Sequence, residues 1–174
     1  MRAALLCNGP SRVAFKNKEE YNYVMGCNIP WTDVDGTVMV DIGVARYYAT
    51  HDQPDYELFL NEVCWNTLKG FKRSGVKLTS YLLAENKLGR IIENAKPFYS
   101  SGHMAALELI RIGATEIDIY GCDSYYEDTV ESFTWSLLPS HSSEKHRAKQ
   151  VIEWRKNWAF IEGQNKVKLN FIKA

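Results

Sequence analysis

Six short apolar or β-branched runs recur along the chain with helix-length segments among them, and this alternation limits the possible folds more than any other feature. The runs are Ala3 to Cys7, Tyr23 to Cys27, Thr37 to Val40, Lys77 to Leu82, Glu116 to Tyr120 and Lys166 to Ile172. Short, nearly continuous apolar stretches suit parallel strands buried on both faces. The last run sets Val167, Leu169 and Phe171 against Lys166, Lys168 and Asn170, the pattern of an edge strand with one wet face. Helices are expected over Pro54 to Gly70, Ser101 to Ile112 and Ser143 to Glu162. The second has Met104, Leu107 and Ile110 at helical spacing and stops at Gly113. The third opens on Ser142-Ser143-Glu144 as a cap and carries Ile152, Trp154, Trp158 and Ile161 toward a stop at Gly163, with the tryptophans as core anchors. The expected fold is α/β: a Rossmann-like, open, mostly parallel sheet with helices on both faces, forming a single domain over residues 1–174. Such sheets bind ligands in the crevice at the carboxyl ends of their strands.

With 174 residues, 45% of them apolar, the chain can bury a substantial core. Lys plus Arg equals Asp plus Glu at 21 each, so no global field draws it to nucleic acid or an anionic membrane. Cys7, Cys27, Cys64 and Cys122 form no CxxC pair and lack histidines at metal-ligand spacing. They read as free core thiols, which implies a reducing cytoplasm. The start is too soon polar for a signal peptide, and no run has the length of a transmembrane segment.

The expected strand ends carry more polar groups than a core requires. The first delivers Asn8, Gly9 and Ser11 in a turn that brings backbone N–H groups within reach of a phosphate or sugar. The second delivers Asn28 and the third Asp41. Ser100, Ser101 and Gly102 open a helix, with hydroxyls and unpaired N–H groups at its positive end. The fifth strand delivers Gly121, Asp123 and Tyr125. Together they predict one polar binding crevice.

These segments resemble the bacterial sialyltransferases of glycosyltransferase family 42. The similarity lies in Asn8-Gly9-Pro10-Ser11, Cys27-Asn28, Ser101-Gly102 with the alanine-bearing helix after it, Ile112-Gly113, Glu116-Ile117 and Gly121-Cys122-Asp123-Ser124-Tyr125. The archaeal 6-hydroxymethylpterin pyrophosphokinases and flagellin-glycosylating proteins share a looser version. The resemblance spans about two thirds of the chain and implies fold before activity. It implies a nucleotide-sugar donor of the CMP–sialic-acid kind, held by Asn8, Ser11, Asn28, Ser100 and Ser101, with Asp123 on a ribose hydroxyl. Tyr125 would hydrogen-bond the departing phosphate, and His141, in Ser140-His141-Ser142, would be the general base toward a hydroxyl acceptor. His146 is the weaker candidate, and Tyr99 and Tyr126 read as packing residues. The family's class is metal-independent, and residues 124–142 would serve as a lid.

Where that family has Asn after the third strand, this chain has Asp41. A carboxylate beside an anionic donor is unfavourable without a cation, so Asp41 and Asp123 could instead hold Mg²⁺ in a nucleotidyl or diphosphoryl transferase. A non-catalytic nucleotide-binding module is the third reading, and self-association stays open in all three.

Overall fold

The computed structural model describes residues 1–51, 54–70, 78–80, 99–128, 130–136 and 144–174. Its strands are β1 (Arg2–Leu6), β2 (Tyr23–Cys27), β3 (Gly36–Met39), β4 (Glu57–Leu60), β5 (Leu78–Ser80), β6 (Glu116–Tyr120) and β7 (Lys168–Phe171). The helices are α1 (Ile42–Thr50), α2 (Glu62–Gly70), α3 (Ser101–Arg111) and α4 (Glu144–Asn165). All strands pair in parallel in the order β5-β4-β3-β2-β1-β6-β7. Going outward from β1, the chain first builds one wing of the sheet and then crosses to build the other. The order therefore reverses between β1 and β6, and ligand crevices of open α/β sheets form at such a switch point.

Strand alternation explains how both faces are filled. Ala3 and Leu5 of β1 join Met25, Ile117, Ile119 and Leu169 under α3 and α4, with Leu109, Trp158 and Ile161 supplied by those helices. Ala4 and Leu6 turn the other way, toward Phe15, Val24 and Val34. On that same side of the pleat as it runs into β3 and β4, Met39, Leu58 and Leu60 pack with Val44, Ala45 and Tyr48 of α1 and Cys64 and Leu68 of α2. The central strands are thus covered on both sides, as their apolar composition requires.

Several elements differ from the sequence expectation. The helix expected over Pro54 to Gly70 is a strand followed by a helix, because Leu58, Phe59 and Leu60 extend the sheet beside β3. Asn61 makes the joint, donating to Val40 O at 2.9 Å and accepting from Cys64 N at 2.9 Å. Helix α1 is additional, with Asp41 at its N-cap. Helix α4 runs through Gly163 and ends only at Asn165, where Lys166 turns the chain with φ 50°. Its buried stripe is Val151, Trp158 and Ile161, whereas Ile152 faces solvent. The expected cap at Ser142-Ser143 lies outside the described residues, as does most of the run from Lys77 to Leu82 beyond β5. The last strand is an edge strand as expected, paired to β6 alone. Among the described residues no helix is long and apolar enough to cross a membrane.

Candidate functional site

Three strand ends at the switch point are stitched together by their polar groups. After β1 the chain turns through Asn8 and Gly9 into a short 3-10 helix, Pro10–Ala14, and after β6 it turns through Gly121 into a second, Asp123–Tyr125. Gly9 N donates to Gly121 O at 2.8 Å. Asp123 accepts from Ser11 N at 3.0 Å and from Ser11 Oγ at 3.1 Å, and Gly121 N donates to Ser11 Oγ at 3.2 Å. Two glycines make this approach possible. A Cβ on Gly9 would lie 2.2 Å from Asp123 Oδ2, and one on Gly121 (φ 69°) would lie 2.5 Å from Cys7 O.

The second knot joins β2 to α3. Asn28 occupies the left-handed region at φ 57°, a strained setting that a non-glycine residue keeps only when its surroundings hold it there. They do: Asn28 N donates to Val38 O at 2.9 Å. Its carbonyl accepts from Thr37 Oγ1 at 3.1 Å and from Tyr48 OH at 2.8 Å. Its Oδ1 accepts from Ser101 Oγ at 2.9 Å. The remaining amide donor, Nδ2, has no partner among the described residues. Asn8 Nδ2 donates to Cys27 O at 2.8 Å, tying this knot to the first.

Ser100 caps α3 in a reciprocal box with His103, which accepts from Ser100 N through Nδ1 at 3.0 Å. His103 Nε2 therefore carries the proton and donates to Trp154 O of α4 at 3.0 Å. Burial drives the pKa of this ring down to about 3, against a smaller upward pull from the Trp154 carbonyl, so it stays neutral and fixes α3 to α4. Gly102 lets Cys7 and Trp158 close against the start of the helix. Beneath the crevice Cys7 and Cys27 have their sulfurs 4.0 Å apart, as free thiols. A hydrogen bond with Cys7, together with burial, pushes the Cys122 thiol well above its usual range, which makes it a packing group.

The expected site residues thus fall into distinct places. Asn8, Gly9, Ser11, Gly121 and Asp123 form one bonded unit, and Asn28 with Ser101 forms a second beside it. The turn differs from the phosphate cradle expected of it: the amides of Gly9, Ser11 and Arg12 already donate to Gly121 O, Asp123 and Gly9 O. Tyr125 stacks flat on Phe171, with ring centres 3.7 Å and planes 4° apart, and is 37% exposed. Arg155 of α4 holds its loop, donating to Ser124 O at 3.0 Å and Glu127 O at 2.9 Å. Tyr126 OH donates to Phe171 O, which fits a packing role. Asp41 is exposed and accepts from Gly43 N at 2.7 Å. Strand order puts it three strands from Asp123, about 14 Å between strand axes at the usual spacing. Two carboxylate oxygens on one Mg²⁺ must lie within about 4 Å of each other, given ligand distances of ~2.1 Å. His141, His146's side chain and the whole of the expected lid beyond Ser136 lie outside the described residues.

Sequence reasoning missed His103, Tyr48 and Arg12. His103 could have been found from its place three residues after Ser100, at the N3 position of a capping box. The Arg12 guanidinium carbon lies 3.5 Å from the centre of the Phe133 ring and 5.1 Å from that of Trp31, an arrangement with no local signature.

No family model matches the chain, and no curated protein matches its sequence. Its fold is that of solved sialyltransferases at low sequence identity. One is the sialyltransferase CST-II in complex with a trisaccharide acceptor and CMP: TM-score 0.59, 17% identity, covering 99% of this chain and 81% of that one. Another is the monofunctional alpha-2,3-sialyltransferase Cst-I from Campylobacter jejuni, with TM-score 0.64, 15% identity and coverage of 99% and 75%. A third is CstII from Campylobacter jejuni with the substrate analogue CMP-3FNeuAc, at TM-score 0.57, 18% identity and coverage of 99% and 81%. These matches lend nothing to the looser resemblance to pterin pyrophosphokinases. At this identity the likeness establishes a shared α/β fold.

Proposed function

We propose that this protein is a glycosyltransferase that moves a sugar from a CMP-activated, sialic-acid-like donor to a hydroxyl acceptor. The observation that carries the reading is Asn28. Its strained backbone is held by Val38, Thr37 and Tyr48, its Oδ1 by Ser101, and its amide donor is left unspent by the described residues beside the switch point. A strained, over-determined residue with one unused donor suits ligand contact better than packing. The likeness to structures that hold CMP and CMP-3FNeuAc supports the choice of nucleotide.

In the proposed reaction the acceptor oxygen bonds to the anomeric carbon as the bond from that carbon to the phosphate oxygen breaks. CMP leaves with the bonding electrons, and the acceptor's proton passes to His141. Tyr125, flat on Phe171 with its hydroxyl unclaimed by the described residues, would donate to the leaving phosphate. Asp123, oriented by Ser11, would accept from a ribose hydroxyl. Nothing in this scheme needs an ion shared by Asp41 and Asp123, so turnover should persist in EDTA.

The test measures CMP release from CMP–sialic acid in EDTA for wild type and His141→Ala. The expected result is turnover by wild type and a loss of at least a hundredfold in the variant, in keeping with general-base contributions of about 10²–10⁴. Release that requires Mg²⁺, or that is equal in the two proteins, would overturn the assignment.

A further inference from the structure

We infer that Cys7 and Cys27 form a redox-sensitive pair whose disulfide loosens the crevice and weakens nucleotide binding. The effect on nucleotide rests on the transferase reading above and adds a means of control to the same site. Each thiol stands immediately before a site residue, in Cys7-Asn8 and Cys27-Asn28, and Cys122-Asp123 repeats the arrangement. The pair sits at the carboxyl ends of β1 and β2, which run in register up to Leu6 and Gly26, so the next residue on each strand is a cysteine. Neighbouring strands lie about 4.8 Å apart, within the Cα separations of about 4.4–6.8 Å that disulfides bridge. Both side chains face the core under α3 and α4, with their sulfurs 4.0 Å apart.

Cys7 is partly exposed and Cys27 only 4% exposed, so Cys7 meets a small oxidant first. With hydrogen peroxide as that oxidant, the Cys7 sulfur attacks one peroxide oxygen and the O–O bond breaks. The departing hydroxide takes the thiol proton and leaves as water, and Cys7 becomes a sulfenic acid. The Cys27 sulfur then attacks the Cys7 sulfur, the S–O bond breaks, and a second water carries off the hydroxyl with the Cys27 proton. Two thiols are oxidised to one disulfide, and one peroxide is reduced to two waters. A hydrogen bond from Cys122 favours the Cys7 thiolate, but the bond with Cys27 and burial outweigh it and push this thiol well above its usual range. Oxidation is therefore slow near neutrality and quickens as pH rises, which suits a response to sustained oxidant.

The disulfide reaches the site residues through two contacts. The sulfurs must close from 4.0 Å to about 2.05 Å. The first turn of α3 rests on the Cys7 sulfur, which lies 3.2 Å from the place of a Cβ on Gly102. Moving that sulfur takes support from the turn carrying Ser101, the partner of Asn28 Oδ1. The bond from Asn8 Nδ2 to Cys27 O, which ties the same two strand ends together, is disturbed as they approach.

The test treats the reduced protein with hydrogen peroxide and follows free thiols, a peptide map, amide exchange and CMP affinity by calorimetry. Thiols titrated after unfolding should fall from four to two, with Cys7 and Cys27 joined in the map. Amide exchange at the start of α3 should quicken at least tenfold, CMP should bind at least tenfold more weakly, and dithiothreitol should reverse every change. Cys27→Ala should bind CMP within twofold of reduced wild type and lose the peroxide response, whereas Cys122→Ala should keep it. A map that joins Cys7 to Cys122, no disulfide, or a disulfide with exchange and affinity unchanged would overturn the inference. Failure of reduced wild type to bind CMP would count against the transferase reading, while the mapped disulfide and the exchange at α3 would still decide the redox pair.

Discussion

Replacing Gly9 with alanine should damage this protein far more than a single methyl group suggests. The added Cβ would lie 2.2 Å from Asp123 Oδ2 and 2.5 Å from Gly121 O. Neither separation can persist, so Asp123 must swing away or the turn must open. If the carboxylate moves, the bonds from Ser11 N and Ser11 Oγ are lost. Hydrogen bonds to charged groups contribute about 1.5–3 kcal/mol each, and this pair is partly exposed, which puts it at the low end. If the backbone moves, the bond from Gly9 N to Gly121 O goes as well, at an overpacking cost of about 1–3 kcal/mol. Either route costs about 3 kcal/mol. For a chain of this length, that is a fall in Tm of roughly 6–12 °C. Urea unfolding followed by tryptophan fluorescence reads it, with Asp123→Asn as the partner variant. If the carboxylate gives way, the two changes should be far from additive, because both remove the same bonds. A Gly9→Ala protein within about 0.5 kcal/mol of wild type would refute the claim that this glycine exists to let Asp123 reach Ser11.

Three other outcomes follow from single residues. Gly163 lies within α4 with nothing inside 4 Å of its would-be Cβ, so Gly163→Ala should stabilise by about 0.5–1 kcal/mol in the same unfolding assay. His103 has its pKa depressed to about 3 in the folded state against ~6.5 unfolded, so the unfolded chain binds the extra proton as pH falls. Its contribution is complete above about pH 6.5 and is lost progressively below, so unfolding free energy should fall by about 2 kcal/mol between pH 8 and 5, a slope that His103→Gln flattens. Arg155→Lys should not restore what Arg155→Ala loses, because the Arg155 fork reaches two separate carbonyls, Ser124 O and Glu127 O. Limited proteolysis of the 124–128 loop should quicken equally in both variants.

The sheet was legible because its strands are short, apolar and separated by turns, a pattern that survives without knowledge of tertiary contacts. The error at Glu57–Leu60 has a physical cause: Leu58 and Leu60 are followed by Cys64 and Leu68 at intervals that a helix also satisfies. Only pairing with β3 separates the strand from α2. Helix α1 escaped notice because Gly43 weakens its first turn, and its buried face, Val44, Ala45, Tyr48 and Ala49, is short and mixed in size. At the site, polar residues at strand ends could be read one by one, since each interrupts an apolar run. Their partnerships could not, because Ser11 and Asp123 are 112 residues apart and Asn28 and Ser101 are 73 apart. For the same reason Arg12 looked ordinary: the rings that define it come from distant segments.

The central claim, that the crevice at the β1–β6 switch point binds CMP through Asn28, is tested most directly by titrating CMP into wild type and Asn28→Gly. Glycine keeps the left-handed backbone at this position without strain and removes the side chain, both its amide donor and the Oδ1 that accepts from Ser101. Wild type should bind CMP, and the variant should unfold at a urea concentration close to that of wild type yet bind at least tenfold more weakly. No CMP binding by wild type, or equal affinity in the two proteins, would contradict it.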